Sequence, residues 1–339
     1  MNTINAKIAL IILLLGTACT VPDDRIVIGG VLPLTGDFAL YGNDEVKAVA
    51  LFMHEHEGYR FVPEDTESAP RKAVTATRKL LRADNPDVIL TTASPSALAI
   101  QPITNEHKVP VFVAGVNPDV ANGFMLQNLP TSEQYIERVV ADMQEKGVQR
   151  VGMIYRNDGL GLPAFTAMKK HFKGELFAEA SSVEERDYRS IITKVASNNP
   201  EVFFVVSGGK SLGSLIKQIR TLHGDIPIYS TIEVNYEDAA EGAGDAYHTI
   251  IYSDVGVDYE QSRLEAFRDA YLAMHNSEPS LDSIVAYNAM LFIHQCRAYV
   301  DTEDFFTCIQ TAEIEGLTGK LRIDNNLVDY TKVLEIKKI

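Results

Sequence analysis

From residue 25 onward the chain repeats one unit, a short run rich in Val and Ile followed by a longer amphipathic stretch. That alternation leaves few architectures, because each apolar run needs cover on both faces while the connecting helix returns the chain for a parallel neighbour. The fold class read from it is α/β, with mostly parallel sheets under helices on both sides. Strands are expected at 26–31, 60–62, 88–91 and 109–113, with helices at 44–54 and 70–82. Val46, Val49, Ala50 and Met53 share a face of the first helix, and Val74, Thr77 and Leu81 share a face of the second.

After Pro130 the pattern starts again. Ser132 is placed to cap a helix that runs to Gly147, followed by strands at 151–155, 175–180, 202–206 and 227–230. Helices near 164–172, 188–196 and 212–222 separate them. A strand at 250–253, a helix at 261–274, a long helix from Leu281 to about Val300, and strands at 320–323 and 333–336 complete the chain. A length of 339 residues suits two lobes of roughly 100 to 200 residues each. The expected division gives residues 25–129 and 254–321 to one lobe, and 130–253 and 322–339 to the other. One local echo supports related halves. Asn85-Pro86-Asp87-Val88 and Asn199-Pro200-Glu201-Val202 each end a helix and enter a buried strand in the same way.

The first residues stand apart from this pattern. Lys7 precedes an apolar run from Ile8 to Leu15 that suits a signal-peptide core and is too short to span a bilayer. Residues 1–18 therefore read as an export signal. Gly16-Thr17-Ala18-Cys19 resembles a bacterial lipobox, in which Cys19 is acylated and becomes the new N-terminus. Residues 19–24 then form a lipid-anchored linker, and Thr20 after the cysteine favours the outer membrane. Membrane association rests on that anchor alone. Cys296 and Cys308 remain for the mature fold, in expected helices on either side of a break near Asp301. An oxidising compartment permits a disulfide between them, and two buried thiols is the other reading. The formal net charge of -15 excludes nucleic acid as a partner, since phosphate binding needs clustered Lys and Arg.

Candidate chemistry gathers at the ends of the expected strands. Pro33-Leu34-Thr35-Gly36 follows the first strand and Tyr41-Gly42 opens the next helix, the place where ligands bind in an open α/β sheet. Ser94 or Ser96, before a helix, is placed to direct helix N-terminal amides at an anion. Gly209-Lys210-Ser211 imitates the end of a phosphate loop, but Phe204 stands where the earlier glycine is required. Gly29-Gly30 does not continue as a dinucleotide fingerprint, and His54-Glu55-His56 lacks the spacing that puts two imidazoles on one helix face. Catalytic apparatus is not visible, so a binding function is expected rather than an enzyme.

The residues 26–36 with Tyr41-Gly42 resemble the opening of the leucine/isoleucine/valine-binding family of type I periplasmic proteins. The resemblance continues through 87–94, Val109-Pro110-Val111-Phe112, 187–193, Asn199-Pro200-Glu201-Val202, Lys217-Gln218-Ile219-Arg220, Ala286-Tyr287-Asn288-Ala289 and Thr318-Gly319. It implies two Rossmann-like lobes joined by three crossovers and closing on a small polar solute, an amino acid or analogue. It also implies delivery to an ABC permease, with no cofactor. By the same resemblance Ser94, Gly115 and Asn117 would bind the solute's carboxylate, Tyr41 would line the site, and Glu233 would meet its ammonium group. The family's second-lobe aromatics would fall at Leu160 and at Gly208 or Gly209, which are not aromatic here. Those departures motivate a rival reading, an envelope lipoprotein that keeps the fold but acts as a sensor partner or regulator through protein contacts.

Overall fold

The repeated unit becomes two doubly wound halves in the computed structural model, which describes residues 24–256, 262–330 and 334–339. The first half contains β1 (Ile26–Leu32), α1 (Ala39–Glu55), β2 (Tyr59–Asp65), α2 (Pro70–Ala83), β3 (Val88–Thr92), α3 (Ser94–His107), β4 (Val111–Ala114) and β5 (Met125–Gln127). The second contains α4 (Ser132–Glu145), β6 (Arg150–Arg156), α5 (Gly161–His171), β7 (Glu175–Ser181), α6 (Arg189–Ala196), β8 (Val202–Val206), α7 (Gly209–His223), β9 (Ile228–Ser230), α8 (Glu237–Ala243) and β10 (Ile250–Val255). The remainder adds α9 (Ser262–His275), α10 (Leu281–Gln295), α11 (Phe305–Thr311), β11 (Glu313–Gly316), β12 (Gly319–Asp324), β13 (Leu327–Val328) and β14 (Leu334–Lys338).

The parallel core of one sheet runs β2-β1-β3-β4-β5, and that of the other runs β7-β6-β8-β9-β10. These are the same order, so each half has its switch point between its first and third strands, where helices leave to opposite faces and a crevice opens. The antiparallel strand β14 closes the second sheet beside β10, while β11, β12 and β13 extend the first beyond β5. The chain crosses between sheets after β5, after β10 and after β13. The expected divisions after 253 and 321 therefore fall inside β10 and β12, because strand pairing carries each segment further than its apolar pattern suggests.

The two Asn-Pro segments hold equivalent places ahead of β3 and β8. Asn85 and Asn199 both adopt left-handed backbone, with φ of 46° and 51°. Each following acid then accepts from an amide at the entry of the neighbouring strand: Asp87 from Val27 N at 2.7 Å, Glu201 from Gln149 N at 2.6 Å. A conformation that Asn tolerates ends the helix, proline blocks its continuation, and a carboxylate ties the strand entry down.

Several sequence expectations shift. In α1 the buried face is Ala48, Val49, Leu51 and Phe52 together with the acidic Glu45, and in α2 it is Ala73, Ala76, Thr77 and Leu80. Both faces are rotated from the apolar stripes read in sequence; α1 also packs along α10, which turns it. The helix expected to reach about 300 ends at Gln295, and Cys296 caps it. Cys296 is joined to Cys308 in α11 by a disulfide with a Cα separation of 5.8 Å. The signal peptide, Cys19, Gln261 and Val333 lie outside the described residues. Among the described residues no helix is long and apolar enough to cross a membrane.

Candidate functional site

The loop that leaves β1 at the first switch point is fastened by the end of β2. Asp65 accepts from Leu34 N at 2.9 Å, from Thr35 Oγ1 at 2.7 Å and from Glu67 N at 2.8 Å. Burial opposes its charge, but these donors outweigh that and hold the carboxyl below its ordinary value. Ser68 Oγ accepts from Phe38 N and donates to Thr35 O, both at 3.0 Å. A Cβ on Gly42 would lie 2.4 Å from Pro33 O, so the Tyr41-Gly42 pair lets α1 start directly against the loop. Phe38 and Tyr41 are thereby aimed into the cleft from a fixed base.

The loop after β3 supplies the second element. Ser94 is the first residue of α3, and its hydroxyl does not cap that helix. Its Oγ instead accepts from Val116 N and Asn117 N, at 3.0 Å each. With both acceptor positions taken, the hydroxyl has only its proton left to offer, which makes it a donor toward whatever occupies the cleft. Gly115 makes this possible, because a Cβ there would stand 2.9 Å from Ser94 Oγ. Ala93, just before, carries a φ of 72°, a strained value for a residue with a side chain.

The opposite lobe contributes the loops after β6 and β9. Arg156 is buried at the end of β6, with its Nε 2.6 Å from Asp158 Oδ2 and its guanidinium 5.4 Å from the Phe38 ring centre. Glu233 and Tyr236 follow β9, and the Tyr236 ring lies 3.9 Å from that of Tyr41 across the cleft. Asp282, in the first turn of α10, completes the wall.

Together these residues enclose a cavity of about 50 Å³ lined by Phe38, Tyr41, Ser94, Gly115, Arg156, Leu160, Glu233, Tyr236 and Asp282, among others. At about 10–15 Å³ per water, that is room for a few water-sized groups. A larger hollow of about 560 Å³ beside His56 and His294 runs along α1, α9 and α10, on one lobe only. Of the residues singled out in sequence, Tyr41, Ser94, Gly115, Leu160 and Glu233 line the cavity, while Asn117, Gly208 and Gly209 do not. The Asn117 side chain is otherwise engaged, accepting from Asp119 N at 2.9 Å and donating to Gly159 O of the other lobe at 3.2 Å. Gly208 faces Phe38, whose ring lies 2.7 Å from the position of an added Cβ. Gly209 adopts a φ of 57° and abuts Asp37 and Asp238.

Sequence reading missed Phe38, Arg156, Tyr236 and Asp282. The signal for Phe38 was its spacing of three from Tyr41, which brings two rings together at a helix start, with centroids 5.4 Å apart. Arg156, Tyr236 and Asp282 carried none, since each acquires its place only through packing between elements far apart in sequence.

The electrostatics are acidic. Burial raises the Glu233 carboxyl, opposed by a hydrogen bond from Thr231 and by the Arg156 charge. Burial also raises Glu45 well above its usual range, with the Asp282 charge adding to it and the Thr92 hydroxyl opposing. Asp282 is pushed up to about 7, first by burial, against a hydrogen bond from Tyr236 and together with the charge of Asp44.

A family model described as periplasmic binding protein matches residues 25–336. No curated protein matches the sequence. A leucine-binding protein from Thermotoga maritima is similar at TM-score 0.84 and 19% identity, over 93% of this chain and 95% of that one. A branched-chain amino acid transporter substrate-binding protein from Streptococcus pneumoniae, solved with isoleucine, is similar at 0.80 and 19%, over 93% and 100%. An ABC transporter solute-binding protein from Rhodopseudomonas palustris, solved with 3,4-dihydroxybenzoic acid, is similar at 0.81 and 19%, over 93% of each chain.

Proposed function

The chain belongs to the periplasmic binding protein family, and we propose that it captures a small polar solute, an amino acid or close analogue, by closure of its two lobes. The solute is then handed to an ABC permease. The export signal at 1–18 and acylation at Cys19 tether the protein to a membrane, and its two lobes divide at the three crossings between sheets.

The single observation that carries this reading is that Ser94, with its acceptor positions saturated, shares one enclosed cavity with the buried carboxylate of Glu233. A proton donor on one wall and an anion on another suit a zwitterion, whose carboxylate and ammonium ends are held from both sides. The structurally similar proteins solved with isoleucine and with 3,4-dihydroxybenzoic acid both hold carboxylic acids, which supports a carboxylate at the Ser94 end. Phe38 in the space beside Gly208 supplies an aromatic wall from the opposite lobe, favouring solute capture over the regulator reading. Solute contacts from both lobes would shift the population toward the closed state.

Isothermal titration calorimetry against a panel of amino acids and amides tests it. One-site binding is expected, with a matching rise in Tm, and Glu233→Gln should weaken it by about 100-fold or more. Absence of both heat and thermal shift across the panel would overturn the reading.

A further inference from the structure

Glu233 and Glu45 each have a hydroxyl partner, from Thr231 and Thr92 respectively. Asp282 differs. Its side chain interacts with the Tyr236 hydroxyl, yet Oδ2 is buried and has no hydrogen-bond partner among the described residues. The Tyr41 hydroxyl, on the same cavity wall, is buried and unpartnered as well. Asp282 is 2% exposed and Tyr41 6%, so bulk water does not satisfy either. The cation among the lining residues, Arg156, is already committed to Asp158 and to the face of Phe38.

A buried carboxylate oxygen without a donor is costly, and the cavity it faces is where an occupant can supply that donor. A neutral zwitterion spends its one ammonium group on Glu233 and leaves Asp282 unanswered. Resting on the amino acid reading above, we propose that Asp282 Oδ2 and the Tyr41 hydroxyl form a second cation-recognising subsite, so that the preferred solute is a short diamino acid. The cavity, at about 50 Å³, leaves no room for a long side chain between the two charged ends. The charges of Asp44 and Glu233, which face Asp282 from α1 and from the other lobe, both favour a cation beside it. When the cleft is empty, the raised Asp282 carboxyl holds a proton in place of that cation.

Calorimetric titration of the full mature chain with diaminobutyrate and with norvaline, in which a methyl group replaces the second ammonium, separates the possibilities at about pH 8, where Asp282 is ionised. Diaminobutyrate is expected to bind about 10-fold tighter or better. In Asp282→Asn the two affinities should come within about 2-fold of each other, and Tyr41→Phe should narrow the gap in a variant that keeps the buried charge. Norvaline bound as tightly as diaminobutyrate by the unaltered protein, or a preference that survives Asp282→Asn, overturns the second subsite while leaving amino acid capture standing. If neither compound binds, the second subsite falls, and amino acid capture is then decided by the wider panel.

Discussion

The two chemically distinct walls of the cleft are finished to different degrees. Around Ser94 the protein's own bonds fix the geometry: two amides converge on one hydroxyl, and Gln127 Nε2 donates to Gly115 O at 2.9 Å to hold the loop. Around Glu233 and Asp282 two acids are equally buried and crowded, their carboxyls raised by burial, and Asp282 Oδ2 lacks a hydrogen-bond partner among the described residues. The donor wall is thus preorganised by the protein alone, whereas the acidic wall is built at a cost that a proton or a bound cation relieves. On the proposed reading, this contrast locates specificity: one wall would take the carboxylate, and the other would select the cation.

The contrast breaks most visibly with pH. Asp282 titrates at about 7 in the folded chain against an ordinary 3.8, so between those values the folded state keeps a proton that the unfolded chain has released. The unliganded protein should therefore lose stability as pH rises from about 4 to about 7, by up to about 4 kcal/mol from this group. Glu233 and Asp238, also raised, act in the same direction. Urea unfolding across that range checks it, and Asp282→Asn should flatten the profile; a level profile in the unaltered chain would mean that the acidic wall is not strained.

Ser94→Ala attacks the other wall. It strips the acceptor from two buried amides and should cost about 2 kcal/mol, with solute affinity lost in parallel. Were the variant to melt like its parent, the donor wall would not be organised by that hydroxyl.

Gly208→Ala sharpens the comparison where the lobes touch. The added methyl meets the Phe38 ring at 2.7 Å, so about 1–2 kcal/mol of destabilisation is expected, accompanied by weaker closure on solute. An unchanged melting profile and unchanged titration would show that Phe38 does not pack there.

The smallest effect should be a gain. Ala93 holds a positive φ beside Ser94, so Ala93→Gly relieves strain and should add about 1 kcal/mol to stability. Calorimetric melting resolves a change of that size, and a loss in its place would mean that the Ala93 methyl contributes packing that outweighs its strain.

Much of the fold was legible because strands buried on both faces read as continuous apolar runs, as in the Val202–Val206 strand, and because Asn-Pro pairs mark the same turn twice. Short strands such as Met125–Gln127 and Leu327–Val328 were not, since two or three residues show no period and owe their place to neighbours far off in sequence. The site divides the same way. Ser94 and Gly115 follow consecutive strands of one sheet, so strand order alone brings them together. Asp282 sits at the head of a helix, where an acid usually signifies favourable interaction with the helix dipole; its role as a cavity wall appears only when α10 packs on α1. The aromatic wall was sought at Gly208 and came instead from Phe38, on the facing lobe.

The account rests on a solute held between two switch points, and hydrogen exchange with the tightest-binding member of the amino acid panel measures that directly. It predicts that solute protects backbone amides at 92–96 and 115–117 together with those at 156–161 and 232–236, one set from each lobe. Protection confined to one lobe, or found only along the groove beside His56 and His294, would contradict it.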